Sequence, residues 1–78
     1  MNKKIYFAVK SGHSDKNINF NDYCSLIEAL GFVLQRQNGS HMIYKHPNGA
    51  YLNIQKIGSK AKEYQVKQLR MTIEKYGL

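Results

Sequence analysis

The sequence predicts an α+β fold. It reads as a two-layer sandwich in the order α-β-β-β-α, with two helices covering one face of a three-stranded antiparallel sheet. Three observations carry this expectation. Apolar residues recur at helical spacing near residues 20–30 and again near residues 61–76. Three short β-prone runs lie between those segments. Asn38-Gly39 and Asn48-Gly49 separate the runs, and Asn-Gly is a strong hairpin signal because type I′ turns need positive φ at both central positions.

Taken in order, Ile5-Tyr6-Phe7-Ala8-Val9 is β-prone but short, and Ser11-Gly12-His13-Ser14-Asp15 breaks it. Residues 1–19 therefore read as an N-terminal arm or edge strand. The first helix begins near Asn21, with Asn19 or Asn21 as N-cap and Asp22 favourable in the first turn. Phe20, Tyr23, Cys24, Ile27 and Leu30 form its apolar face, and Gly31 suits the left-handed position that ends it. Strands are expected over 32–37, 40–46 and 50–56. A loop around Gly58-Ser59-Lys60 leads into a second helix over 61–76, with Val66, Leu69, Ile73 and Tyr76 as its apolar stripe. Double-stranded-RNA-binding domains share this element order, although a fold alone does not fix a function. The chain is read as one domain, residues 1–78, with 20–78 as its core.

Two-residue turns at both Asn-Gly pairs set a register. Arg36 then faces His41, Leu34 faces Ile43, Ile43 faces Ile54, and His41 faces Lys56. Phe32, Leu34, Ile43, Leu52 and Ile54 fall on the helix-covered face. Val33, Gln35, Gln37, Met42, Tyr44, His46, Tyr51, Asn53 and Gln55 fall on the open face. His41 is expected at the rim of the covered face, flanked by Arg36 and Lys56. Such a row must reach solvent, because two unpaired charges in the interior cost too much.

Size and charge narrow the function. A 78-residue domain buries only about 60% of its unfolded surface, which leaves little room for a deep small-molecule cleft. Twelve Lys and Arg against five Asp and Glu give a net charge of +7, which favours phosphate backbones or acidic partners. Cys24 is the only cysteine and lies on an apolar helix face, where a buried, inert thiol is the simplest reading. No metal-ligand spacing is present, and no metal or cofactor is expected. The apolar run at 5–9 is too short for a secretory signal or a membrane span, so the expected setting is the cytoplasm.

The histidine row suggests chemistry on RNA. Metal-free strand cleavage needs a group that takes the 2′-hydroxyl proton and a group that stabilises charge on the phosphorane. Histidine can serve as base or acid near neutral pH, while Arg and Lys suit the charged phosphate. Flanking cations favour the neutral, basic imidazole. His41 is thus the candidate general base, with Arg36 and Lys56 as electrostatic partners. His46, beside the Pro47 turn, is a possible RNA or partner contact but reads more simply as a turn-adjacent surface residue. His13 lies in a polar segment with no evident role.

Leu30-Gly31-Phe32, Asn38-Gly39-Ser40-His41 and Ile43-Tyr44-Lys45-His46-Pro47 together resemble the HicA family over about residues 20–78. That resemblance implies a metal-independent endoribonuclease toxin that cleaves mRNA, with a fold like the double-stranded-RNA-binding domain. It also implies a HicB-like antitoxin partner that covers the active surface. His41 stands at the family's catalytic histidine, Gly39 and Ser40 match the Gly-Ser before it, and Lys45 joins Arg36 and Lys56 as a candidate RNA contact. Met42 stands where many members carry a second histidine. The alternatives are a non-catalytic RNA-binding module and a basic domain that docks an acidic protein.

Overall fold

The computed structural model describes residues 2–78. Their order is α1 (Lys3–Ser11), a 3-10 turn (Asp15–Asn17), α2 (Phe20–Ala29), β1 (Val33–Asn38), β2 (His41–Lys45), β3 (Tyr51–Ile57), β4 (Lys60–Ala61) and α3 (Glu63–Tyr76). The sheet is antiparallel, in the order β1-β2-β3-β4. The domain is 20 Å across its thinnest dimension, about one sheet and one helix layer at ~10 Å each. The expected α+β sandwich is present, with one more helix and one more strand than the sequence predicts.

The extra helix is α1, which replaces the expected arm or edge strand at residues 1–19. Asn2 caps it: its side-chain oxygen accepts from the backbone N–H groups of Lys4 and Ile5. Ile5, Tyr6, Ala8 and Val9 turn toward the core, while Phe7 is exposed. The apolar run is unbroken, so it shows no helical period, and docking decides the conformation instead. The Tyr6 hydroxyl donates to the Leu78 carbonyl at 2.8 Å. Arg70 Nη1 donates to the Val9 carbonyl at 2.9 Å and to Asp15 Oδ1 at 3.0 Å, tying α1 and the 3-10 turn to α3.

The extra strand is the two-residue β4, too short to carry a pattern. It takes Ala61 from the expected start of the last helix, so α3 begins at Glu63. Ala61 pairs with Lys56 on one side, and its N–H donates to the Ile18 carbonyl at 2.9 Å on the other. The N-cap of α2 is Asn19, one of the two expected. Gly31 follows that helix at φ 105°, and a Cβ there would lie 2.8 Å from His46 Nε2.

The register differs from the one the sequence suggests, and the turns explain it. The first loop is Gly39-Ser40, with Asn38 facing His41. Asn38 does not take positive φ, whereas Gly39 does at 63°. A glycine of positive φ at the first central position is the type II′ requirement, so this two-residue loop sits one residue later than a type I′ Asn-Gly loop. The second loop holds three residues. Gly49 N–H donates to the His46 carbonyl and His46 N–H to the Ala50 carbonyl, both at 2.9 Å, with Gly49 at φ 94°. That is a type I turn with Pro47 in its favoured place, closed by a left-handed bulge residue.

One extra loop residue inverts the pairing parity between β2 and β3. Tyr44 faces Leu52 and Met42 faces Ile54, so Tyr44 and Met42 join the helix-covered face, not the open one. Tyr44 is 1% exposed. Ile43, expected in the core, turns outward opposite Asn53. A bulge at Gln35, between Leu34/Tyr44 and Arg36/Ile43, leaves Leu34 at the sheet margin and 41% exposed. Val9, Tyr23, Leu26, Ile27, Phe32, Leu52, Ile54, Val66, Leu69 and Ile73 are among the other residues of the core.

Candidate nucleic-acid interface

The open face of the sheet presents Arg36 and Asn38 from β1, His41, Ile43 and Lys45 from β2, and Tyr51, Asn53 and Gln55 from β3. Alternation along each strand puts these side chains on one side. His41 is exposed and is the first residue of β2, immediately after the Gly39-Ser40 loop. It lies between two shallow depressions. One, of about 240 Å³, is lined by Arg36, Asn38, His41, Ile43 and Asn53. The other, of about 290 Å³, runs from His41 along Tyr51, Asn53 and Gln55 to Tyr64, Gln65 and Gln68 of α3.

The cation row expected around His41 is only half present. Arg36 shares its face and its depression, but the cross-strand neighbours of His41 are Asn38 and Gln55, not Arg36 and Lys56. Lys56 lies on the opposite side of the sheet, in a cleft with Gly39, Ser40, Gln37, Met42 and Tyr44. The changed register moved His41 rather than Lys56: His41, expected at the rim of the helix-covered face, stands on the open one, while Lys56 keeps the side of Leu52 and Ile54. A different lysine, Lys62, reaches the cross-strand neighbour of His41. Lys62 Nζ donates to Gln55 Oε1 at 2.8 Å, and Gln55 Nε2 donates to Ser40 Oγ at 3.0 Å. Lys62 and Gln55 thereby brace the turn that presents His41. Lys45 stands on the His41 face, opposite Tyr51.

Several of these companions were outside the sequence reading of the site. The register expected from the sequence puts Tyr51, Asn53 and Gln55 on the face opposite His41. The Pro-Asn-Gly order in the second loop is the signal that would have corrected this, because it suits a three-residue loop. Tyr64, Gln65 and Gln68 arrive through the packing of α3, which no local pattern announces.

His46 is not a contact on the open face. Its Nδ1 accepts from the Asn48 N–H at 3.1 Å, so the ring proton sits on Nε2, which donates to the Leu30 carbonyl at 2.9 Å. The ring also packs edge-on against Phe32 at 5.0 Å. It joins the β2–β3 turn to the end of α2.

Cys24 is half-buried beside Tyr44 and Glu28. Burial pushes its thiol up, the Tyr44 hydroxyl partly offsets this, and Glu28 adds to it, so the thiol stays protonated and unreactive. Burial and the Glu28 carboxylate, which accepts the Tyr44 hydroxyl proton at 2.9 Å, hold the Tyr44 phenol well above its usual range. Among the described residues no three His, Cys, Asp or Glu side chains converge into a metal-binding group. No helix among them is long and apolar enough to cross a membrane.

The chain is thus a small basic α+β domain whose polar, aromatic sheet face surrounds one exposed histidine. Residues 20–78 match the HicA toxin family of bacterial toxin–antitoxin systems, and the chain belongs to that family. The match starts at Phe20, so α1 and the 3-10 turn lie outside it. No curated protein and no solved structure matches the chain. Family membership makes the chain a toxin whose partner is an antitoxin.

Proposed function

We propose that the chain is an endoribonuclease that cleaves mRNA without a metal ion, with His41 as its acid–base group and a HicB-like protein as its antitoxin. The observation that carries this reading is the placement of His41. It is exposed on the open face, shares a depression with the Arg36 guanidinium, and stands in a chain that belongs to the HicA toxins. In the proposed reaction the imidazole takes the 2′-hydroxyl proton and the 2′ oxygen bonds to phosphorus. Arg36 stabilises the charge that gathers on the phosphoryl oxygens. The bond to the 5′ oxygen breaks, that oxygen takes a proton from the imidazolium or from water, and a 2′,3′-cyclic phosphate remains. Gly39 and Ser40 set the start of β2, and Lys45 lies on the same face to meet the RNA backbone.

The experiment is cleavage of a long single-stranded RNA in EDTA by the parent and by His41→Ala. A general acid–base group contributes about 10²–10⁴-fold, so the variant should fall by that factor while keeping its fold and its RNA affinity. Equal rates for the two proteins would remove His41 from the reaction. Arg36→Ala should also slow cleavage, whereas Lys56→Ala, on the other side of the sheet, should change it little.

One observation favours a second reading. His41 is the only histidine in the two depressions, and no carboxylate lines either of them. A non-catalytic RNA-binding module would look the same. It would bind RNA in a salt-sensitive way and leave it intact.

A further inference from the structure

The second depression beside His41 has features that backbone recognition does not use. Two of its walls are exposed tyrosines, Tyr51 at 53% and Tyr64 at 60%. They come from different elements, β3 and α3, and reach the same depression. Its volume of about 290 Å³ sits at the lower limit of ligand pockets, ~300–1,000 Å³, and suits one or two flat rings more than an extended molecule.

The carboxamides around it divide into two kinds. Gln65 is committed to the backbone of Gln55: its amide nitrogen donates to the Gln55 carbonyl at 3.0 Å and its oxygen accepts from the Gln55 N–H at 2.9 Å. The Gln55 side chain is committed to Ser40 and Lys62. Asn53 and Gln68 line the same depression, and their side chains have no hydrogen-bond partner among the described residues. A carboxamide offers both donors and an acceptor, which is the complement of a nucleobase edge. Lys62 Nζ stands 6.0 Å from the Tyr64 ring centroid, so a cation lies beside that platform.

We infer that this depression is a nucleobase subsite. It takes an unstacked base of single-stranded RNA against Tyr51 and Tyr64, reads its edge with Asn53 and Gln68, and presents the adjoining sugar to His41. The inference rests on the proposed ribonuclease reading and adds what that reading leaves open: the strandedness of the substrate and the residues that select it. Bases in an A-form duplex are paired and stacked, so they cannot enter such a site, whereas splayed single-stranded bases stack readily on aromatic rings.

The test measures binding apart from cleavage. In the full chain carrying His41→Ala, the affinity of a labelled short oligoribonucleotide is compared with that of an RNA duplex of equal length, by fluorescence anisotropy. Tyr51→Leu and Tyr64→Leu should each weaken single-strand binding by about tenfold and leave duplex binding unchanged. Tyr51→Phe and Tyr64→Phe keep the ring and should stay within about twofold of the background protein. Circular dichroism on each variant separates a lost platform from a lost fold. Single-strand affinity unmoved by either Leu substitution overturns the subsite. So does an equal loss for duplex, or the absence of single-strand binding in the background protein. Leu variants that bind RNA normally but lose affinity for a protein partner assign the tyrosines to that partner, and also overturn it. The two readings fail separately. Cleavage that needs His41 but ignores both tyrosines leaves the nuclease standing, and tyrosine-dependent binding without His41-dependent cleavage leaves the subsite standing.

Discussion

His46 and His41 lie five positions apart and differ in everything that matters to their chemistry. His41 projects from a strand start into solvent. His46 has both ring nitrogens occupied, one as acceptor from Asn48 and one as donor to Leu30. Replacing His46 by Ala removes both bonds and the packing on Phe32, and should cost about 2 kcal/mol, read as a lower urea midpoint at unchanged slope. A midpoint within error of the parent would show that the ring does not hold the turn. The buried tyrosines make a second prediction at this scale. Burial and then Cys24 raise the Tyr23 phenol, and burial and then Glu28 raise that of Tyr44, above an unfolded value near 10. Above about pH 10 the native state therefore holds protons that the unfolded chain has released. Their contribution to stability is complete below that pH and declines as pH rises through it. Urea midpoints at pH 8 and pH 11 should show the decline, and Tyr23→Phe should reduce the slope; an identical slope would remove Tyr23 from the effect.

Among the elements, α2 and α3 were legible in the sequence because their apolar stripes and the Asn19 cap mark them independently of context. The helix α1 was not, since five consecutive apolar residues carry no period and its cap is the second residue of the chain. The three long strands were legible, but their pairing parity turned on one residue in the His46–Ala50 loop. That residue decided the site: His41 and Arg36 could be placed together from the sequence, whereas the separation of His41 from Lys56 onto opposite faces could not be seen without it. The attachment of α3 to the sheet offers a test. Gln65 is 1% exposed and bonds both backbone groups of Gln55. Gln65→Leu keeps the volume but strands those two groups, at a cost of about 2–3 kcal/mol. Hydrogen exchange at the Gln55 amide should accelerate more than at Leu52 or Ile54. Uniform acceleration across β3 would argue that only global stability had changed.

At the scale of the whole molecule, the one ion pair among the described residues joins three elements. Asp15 is 7% exposed, and Arg70 reaches both it and the Val9 carbonyl. Asp15→Ala leaves a half-buried guanidinium without its carboxylate, and should cost about 2–3 kcal/mol, below the 3–5 of a fully buried pair. The loss should be felt first in α1: its amides should exchange early while those of β2 and β3 remain protected. Synchronous exchange of both would mean that α1 is no separate unit. The net charge of +7 also acts at this scale. It draws any polyanion to the surface but does not select the face, which under the proposed function falls to Arg36, Lys45 and the groups around His41.

The two margins of the sheet are unlike. Along β1, every residue from Val33 to Asn38 is exposed and the outer hydrogen-bonding edge has no strand beside it. At the other margin the Gln65 carboxamide stands in for a neighbouring strand at Gln55, and the chain at Ile18–Phe20 meets Ser59 and Ala61. A ribbon that grows by adding sheet to sheet needs two receptive edges on every unit, and here the second is interrupted at Gln55 and along β4. The edge left open over a whole strand is that of β1. Interrupting one edge in this way works against open-ended stacking, the usual hazard of an exposed strand.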